Sequence, residues 1–136
     1  MAECIFCEIA TGRIPSSKVY ENDHVVAFLD VGPISDGHTL VIPKVHYDRL
    51  HQCPAEVLAE MAKTAAFLAG PVVQAVGAEG YNVLCNNDAA AGQVVNHVHV
   101  HIIPRKKGDG VLKRWPSYTY PEGKAREIAE KIKQNL

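Results

Sequence analysis

Histidine alternates with valine through His97-Val98-His99-Val100-His101. In an extended strand successive side chains point to opposite faces, so His97, His99 and His101 share one face at a spacing of about 6.5–7 Å. Val98, Val100 and Ile102 then face the other way. An unpaired imidazole is costly to bury, so three on one face call for a use. They could be a solvated strand face, hold a catalytic zinc, or serve as nucleophile and acid–base groups near neutral pH. The flanks favour the third use. Gly92 and Gln93 stand just before the run. A glycine lets the backbone approach an oxyanion, and nearby N–H groups with the Gln93 amide are candidate donors. Asp30 ends the apolar run Val25-Val26-Ala27-Phe28-Leu29. Its carboxylate is placed to grip a pair of hydroxyls beside apolar walls. Taken alone, it equally reads as a turn starter before Gly32-Pro33.

A second constellation is Cys4-x-x-Cys7. This spacing suits two ligands of a tetrahedral zinc, and it also fits a redox pair. Redox chemistry of the thioredoxin kind would set it in a βαβ unit, and no such pattern surrounds it. Cys53 and Cys85 have no spacing partners and read as free thiols, and His24 and His51 as incidental.

Four segments together resemble the histidine triad family. They are Ile5-Phe6-Cys7-Glu8-Ile9, Ala27-Phe28-Leu29-Asp30, Gly37-His38-Thr39-Leu40-Val41-Ile42-Pro43-Lys44-Val45-His46, and the stretch from Gly92 through His101. The resemblance implies a nucleotide hydrolase acting at an α-phosphate, with His99 as nucleophile, His101 as phosphate and leaving-group partner, and His38 as a further active-site histidine. It implies that Asp30 holds the ribose. Ile5, Phe6, Ile9, Phe28, Leu29, Val31 and Leu40 would wall a purine pocket, with Asn86, Gly92 and Gln93 around the phosphate. The Cys-x-x-Cys branch implies a structural zinc on Cys4, Cys7, His46 and His97. The family also implies a homodimer, joined through the long helix and a sheet edge.

Two positions depart from the family pattern. Many members carry Ser or Thr directly after Gly-Gln, where this chain has Val94, which has no donor. Losing a transition-state donor can lower turnover by an order of magnitude or more. That departure keeps a second class open, a nucleotide-binding regulatory or interaction protein with weak catalysis. The other departure is Asp88-Ala89, where a glycine is common.

The elements that must position these residues read as α+β, a five-stranded antiparallel sheet with one long and one C-terminal helix, in a single domain over residues 1–136. Strands are predicted at 18–21, 25–31, 38–42 (stopped by Pro43), 81–85 and 94–103 (ended by Pro104). Helices are predicted at 4–10, from 54 onward with a kink or break at Gly70-Pro71, and at 122–136. Hydrophobic residues make up 47%, and 14 basic against 15 acidic residues give no case for a nucleic-acid or membrane-surface binder. The N-terminus lacks a signal-peptide pattern, so a cytoplasmic setting with reduced thiols is expected.

Overall fold

The structure, a computed structural model, describes residues 4–113 and 115–136. Helix α1 (Ile5–Ala10) is followed by β1 (Lys18–Glu21), β2 (Val25–Leu29) and β3 (Thr39–Pro43). Then come α2 (Ala55–Val76), β4 (Gly80–Leu84), β5 (Val100–Arg105) and α3 (Lys124–Gln134). The strands form one antiparallel sheet in the order β1-β2-β3-β5-β4. The expected α+β architecture is present.

Strand alternation sorts the core into two layers. Val25, Ala27, Val41, Val100 and Ile102 face α2 and pack on Met61, Ala65 and Leu68. Val26, Phe28, Leu40 and Ile42 face the other way and are covered by Phe6 and Ile9 of α1. Because both faces of the central strands are covered, their sequences are continuous apolar runs rather than alternating ones. Burying each such aliphatic side chain stabilises by about 1.5–3 kcal/mol. The register sets Phe28 opposite Leu40, and Leu40 opposite His101, so one row on the α1 side leads from apolar wall to imidazole.

Three predicted boundaries are corrected. The last strand begins at Val100, not at 94, because the chain before it spends its polar groups elsewhere. The His97 amide turns back to the Val95 carbonyl (2.9 Å), and the Val98 amide bonds the Tyr47 carbonyl (2.7 Å). Pro43 closes β3 as its last paired residue, but Pro104 does not end β5, which runs on to Arg105. Pro43 pairs opposite Val25, and Pro104 lies past Ile102, the last β5 residue paired with β3, so its missing N–H breaks no bond there. Helix α2 runs without a break through Pro71. The carbonyl that Pro71 leaves unbonded belongs to Phe67, on the solvent side of the helix (63% exposed). Among the described residues no helix is long and apolar enough to cross a membrane.

Candidate active site and metal site

The departure from strand geometry before Val100 splits the histidine run. Only His101 stands in β5. The His99 and His101 rings lie 4.9 Å apart, closer than strand alternation predicts. His97 is fully buried and turned toward the cysteines, off the face the other two share.

Hydrogen bonds fix which nitrogen of each ring carries the proton, since a neutral imidazole has one donor and one acceptor. The Ile34 amide donates to His38 Nδ1 (3.2 Å), so His38 Nε2 bears the hydrogen. It donates to His101 Nδ1 at 2.8 Å, which leaves the hydrogen of His101 on Nε2. That Nε2 is buried and has no partner among the described residues. His99 Nδ1 donates to the His97 carbonyl (2.7 Å), so its Nε2 carries a lone pair. The Phe6 ring meets the His99 ring edge-to-face at 5.0 Å and holds its orientation. Burial pushes His101 down to about 4 from 6.5, and the neighbouring His99 and His38 add to this. Burial also lowers His38 and His99, against the raising effect of the Asp30 carboxylate. All three rings are neutral at pH 7. The site therefore offers one lone pair and one unsatisfied N–H side by side.

Both rings line a cavity of about 380 Å³. Its lining includes the predicted residues Ile5, Phe6, Ile9, Phe28, Asp30, Val31, Leu40, Gly92, His99 and His101. Asp30 accepts the Gly32 amide on Oδ1 (2.9 Å), and its Oδ2 lies 3.7 Å from His38 Nε2, so it starts the turn and also faces the site. His38 is buried and acts from behind His101.

Three predicted residues are placed differently. Leu29 points to the α2 side of the sheet, beside Val19, Leu68 and Val72, because it alternates with Phe28. Gln93 turns its amide inward. Its Nε2 donates to the carbonyls of Asp48 (2.8 Å) and Val95 (3.1 Å), and its Oε1 accepts the Asp88 amide (2.8 Å). Its side chain therefore holds the loop together and does not offer a donor to the cavity. Asn86 stands outside the lining, its amide over Gly92, where the φ of +91° suits a residue without Cβ.

Sequence reasoning missed the connection from α1 to β1, where Ile14, Pro15 and Ser16 complete the cavity wall. An apolar pair in a polar loop was the available signal. It also missed Arg49. Asp88 has φ 72° and ψ 159°, a region populated almost only by glycine, at a cost of about 1–3 kcal/mol. Arg49 Nε donates to Asp88 Oδ1 at 2.7 Å, and its Nη1 to the Asp48 carbonyl (3.1 Å).

The second site gathers Cys4, Cys7, His46 and His97, whose ligand atoms all lie within 4.8 Å of one another. His97 Nε2 donates to the Pro43 carbonyl (2.9 Å) and His46 Nε2 to the Asp48 carboxylate (2.6 Å). Both rings therefore present a bare Nδ1 to the thiols, at 3.4 Å from Cys4 to His97 and 3.4 Å from Cys7 to His46. Tetrahedral zinc with its usual bond lengths sets sulfur and nitrogen ligands about 3.5 Å apart, so the donor set fits that ion. Carboxylate and carbonyl partners behind ligating imidazoles are what a metal site requires. Burial drives His97 down to about 4 and raises Cys7 to about 11, the latter with the help of the adjacent Cys4 thiol. An ion would reverse the penalty on the thiolates.

Comparison with known proteins agrees with this geometry. The adenosine 5'-monophosphoramidase of Schizosaccharomyces pombe is 41% identical over 134 residues, covering 98% of each chain. A crystal structure of a HIT family member from Bacillus subtilis superposes with TM-score 0.90 at 36% identity, covering 99% of this chain and 98% of that one. A Zn-bound histidine triad family protein from Mycobacterium smegmatis superposes with TM-score 0.76 at 35% identity, covering 96% and 94%. The HIT domain model matches residues 11–108, a span that holds the sheet, α2 and every histidine of the site, and the chain belongs to the HIT domain family.

Proposed function

We propose that the protein hydrolyses purine nucleotide conjugates at the α-phosphate, with nucleoside phosphoramidates or dinucleoside polyphosphates as the substrate class, through a nucleotidyl-histidine on His99. The observation that carries this reading is the pair of fixed tautomers, a His99 Nε2 lone pair beside an unpartnered His101 Nε2–H, on two rings that line one apolar cavity. The monophosphoramidase activity named for the yeast relative supports it.

In this mechanism His99 Nε2 bonds to phosphorus as the bond to the leaving group breaks. His101 Nε2–H hydrogen-bonds the leaving atom or a phosphate oxygen, and His38, bonded to Nδ1, keeps that hydrogen on Nε2. Water then attacks phosphorus, frees the nucleoside monophosphate and returns the lone pair to His99. Over the two steps the water supplies the proton that the leaving group carries away. Splitting one displacement into two is the general gain of covalent catalysis. Asp30 takes the ribose hydroxyls, while Ile5, Phe6, Ile9, Phe28, Val31 and Leu40 clasp the base. Apolar contacts of this kind discriminate weakly between purines. Gly92, with Asn86 over it and Gln93 behind it, shapes the phosphate side.

Cys4, Cys7, His46 and His97 would hold a zinc with no open position, which makes its contribution structural. Two chains would join along β4, the sheet edge, whose Tyr81 and Val83 are half exposed beside a groove lined by Leu58, Met61 and Ala65 of α2. A cytoplasmic setting keeps the thiols reduced.

The test is turnover of adenosine 5'-phosphoramidate by wild type and His99→Ala. The variant is expected to lose at least about 10³-fold in kcat, as for removal of a nucleophile. Equal rates would sink the hydrolase reading. A second reading, nucleotide binding with weak catalysis, is favoured by Val94, which lines the cavity at 91% exposure without a hydroxyl. Wild type that binds AMP tightly yet turns over no conjugate would establish it.

A further inference from the structure

We propose that Arg49 is a positioning residue that clamps the phosphate-side loop, residues 86–93, in the conformation the nucleotide site needs. The inference rests on the reading of that cavity as a nucleotide site. It starts from Asp88, the one non-glycine residue with positive φ among the described residues. Its backbone is pinned on both sides. Its amide donates to Gln93 Oε1 (2.8 Å), and its carbonyl accepts the amides of Ala91 (3.0 Å) and Gln93 (3.1 Å). Those bonds set Gly92 against the cavity with Asn86 over it, and they require the left-handed backbone at Asp88.

An aspartate gains nothing from that conformation by itself, and relaxing it would pull the amide off Gln93 and shift Gly92. What opposes relaxation is outside the loop. Arg49 grips the Asp88 carboxylate from below, and its own head is braced on the Asp48 carbonyl and on Asn96 Oδ1 (3.4 Å). Two further bonds run in parallel from the same three-residue segment. The Leu50 amide donates to Asn87 Oδ1 (2.8 Å), and the Asp48 carbonyl accepts Gln93 Nε2 (2.8 Å). The Arg49 side chain is mostly covered while the Asp88 carboxylate is largely exposed, so the pair adds little as a bare surface ion pair. Its effect lies in the backbone it holds.

If the clamp exists to hold an aspartate where glycine is at ease, removing the aspartate should make Arg49 dispensable. The experiment compares wild type, R49M, D88G and R49M/D88G, reading AMP affinity by titration calorimetry and the thermal midpoint of each. R49M is expected to weaken AMP binding by about fivefold in the native background and by less than about twofold in the D88G background, with the thermal midpoint following the same pattern. An equal loss in both backgrounds, or no loss in either, would overturn the clamp. If wild type itself fails to bind AMP, the nucleotide reading falls separately. The midpoints still judge the clamp, with additive changes overturning it and rescue by D88G upholding it.

Discussion

At the scale of single residues, the site is a set of neutral imidazoles whose protons are assigned by their neighbours. Keeping them neutral has a stability consequence with a definite sign. His101 titrates near 4 in the folded chain and near 6.5 when unfolded. Between these values the unfolded chain takes up a proton that the folded chain refuses, so stability falls as pH drops from 6.5 toward 4 and is flat in this respect above 6.5. Urea unfolding at pH 7 and pH 5 should show a smaller loss for His101→Gln than for wild type. Equal losses would mean that burial of this ring is not what the acid limb reports. That His99, His101 and Asp30 meet at one cavity was legible in the sequence because such residue types are rare in such a pattern. Gln93 and Leu29 were misplaced because a side chain's direction depends on partners far along the chain. Nothing local to Gln93 says that its amide will be claimed by Asp48 and Asp88.

At the scale of elements, strand and helix content followed from apolar runs, and the errors fell where tertiary bonds compete with a local rule. The run at 94–99 alternates like a strand, yet Tyr47 and Val95 take its amides first. Pro71 reads as a breaker, yet it sits where the helix faces solvent. The most consequential element is α1, six residues that wall the cavity with Ile5, Phe6 and Ile9 and follow Cys4 of the cysteine–histidine cluster. A helix so short is not stable alone. Elemental analysis is expected to find about one zinc per chain, given four ligands. Chelation should then lower the thermal midpoint and speed amide exchange across residues 5–10 before it affects β2 or β3. A chelated protein with unchanged exchange in α1 would show that packing of Phe6 and Ile9 suffices to hold it.

At the scale of the molecule, the sheet has two unequal edges. Strand β1 carries Lys18 and Glu21, joined to each other, with Lys44 bonding Glu21 as well. Such charges guard an edge against pairing. Strand β4 presents Tyr81, Val83 and Leu84 instead and lies beside the apolar groove of α2. Wild type should therefore sediment as two chains and Val83→Glu as one, with the fold retained by circular dichroism. A wild-type monomer at micromolar concentration would remove the proposed dimer. Helix α3 buries none of its residues, and Trp115 is 92% exposed and outside the lining of its own chain's cavity. A second copy is the place to look for a contact to Trp115.

The histidine at the start of the run belongs to both halves of the site. The ring of His97 faces the thiols while its carbonyl receives the Nδ1 hydrogen of His99. Losing the thiols that face His97 would free that peptide to rotate, and His99 would then divide its time between aligned and misaligned rings. A population of such molecules would contain fewer competent copies, each still turning over at its ordinary rate. The deficit would appear when active sites are counted, and not in the chemistry of the sites that remain.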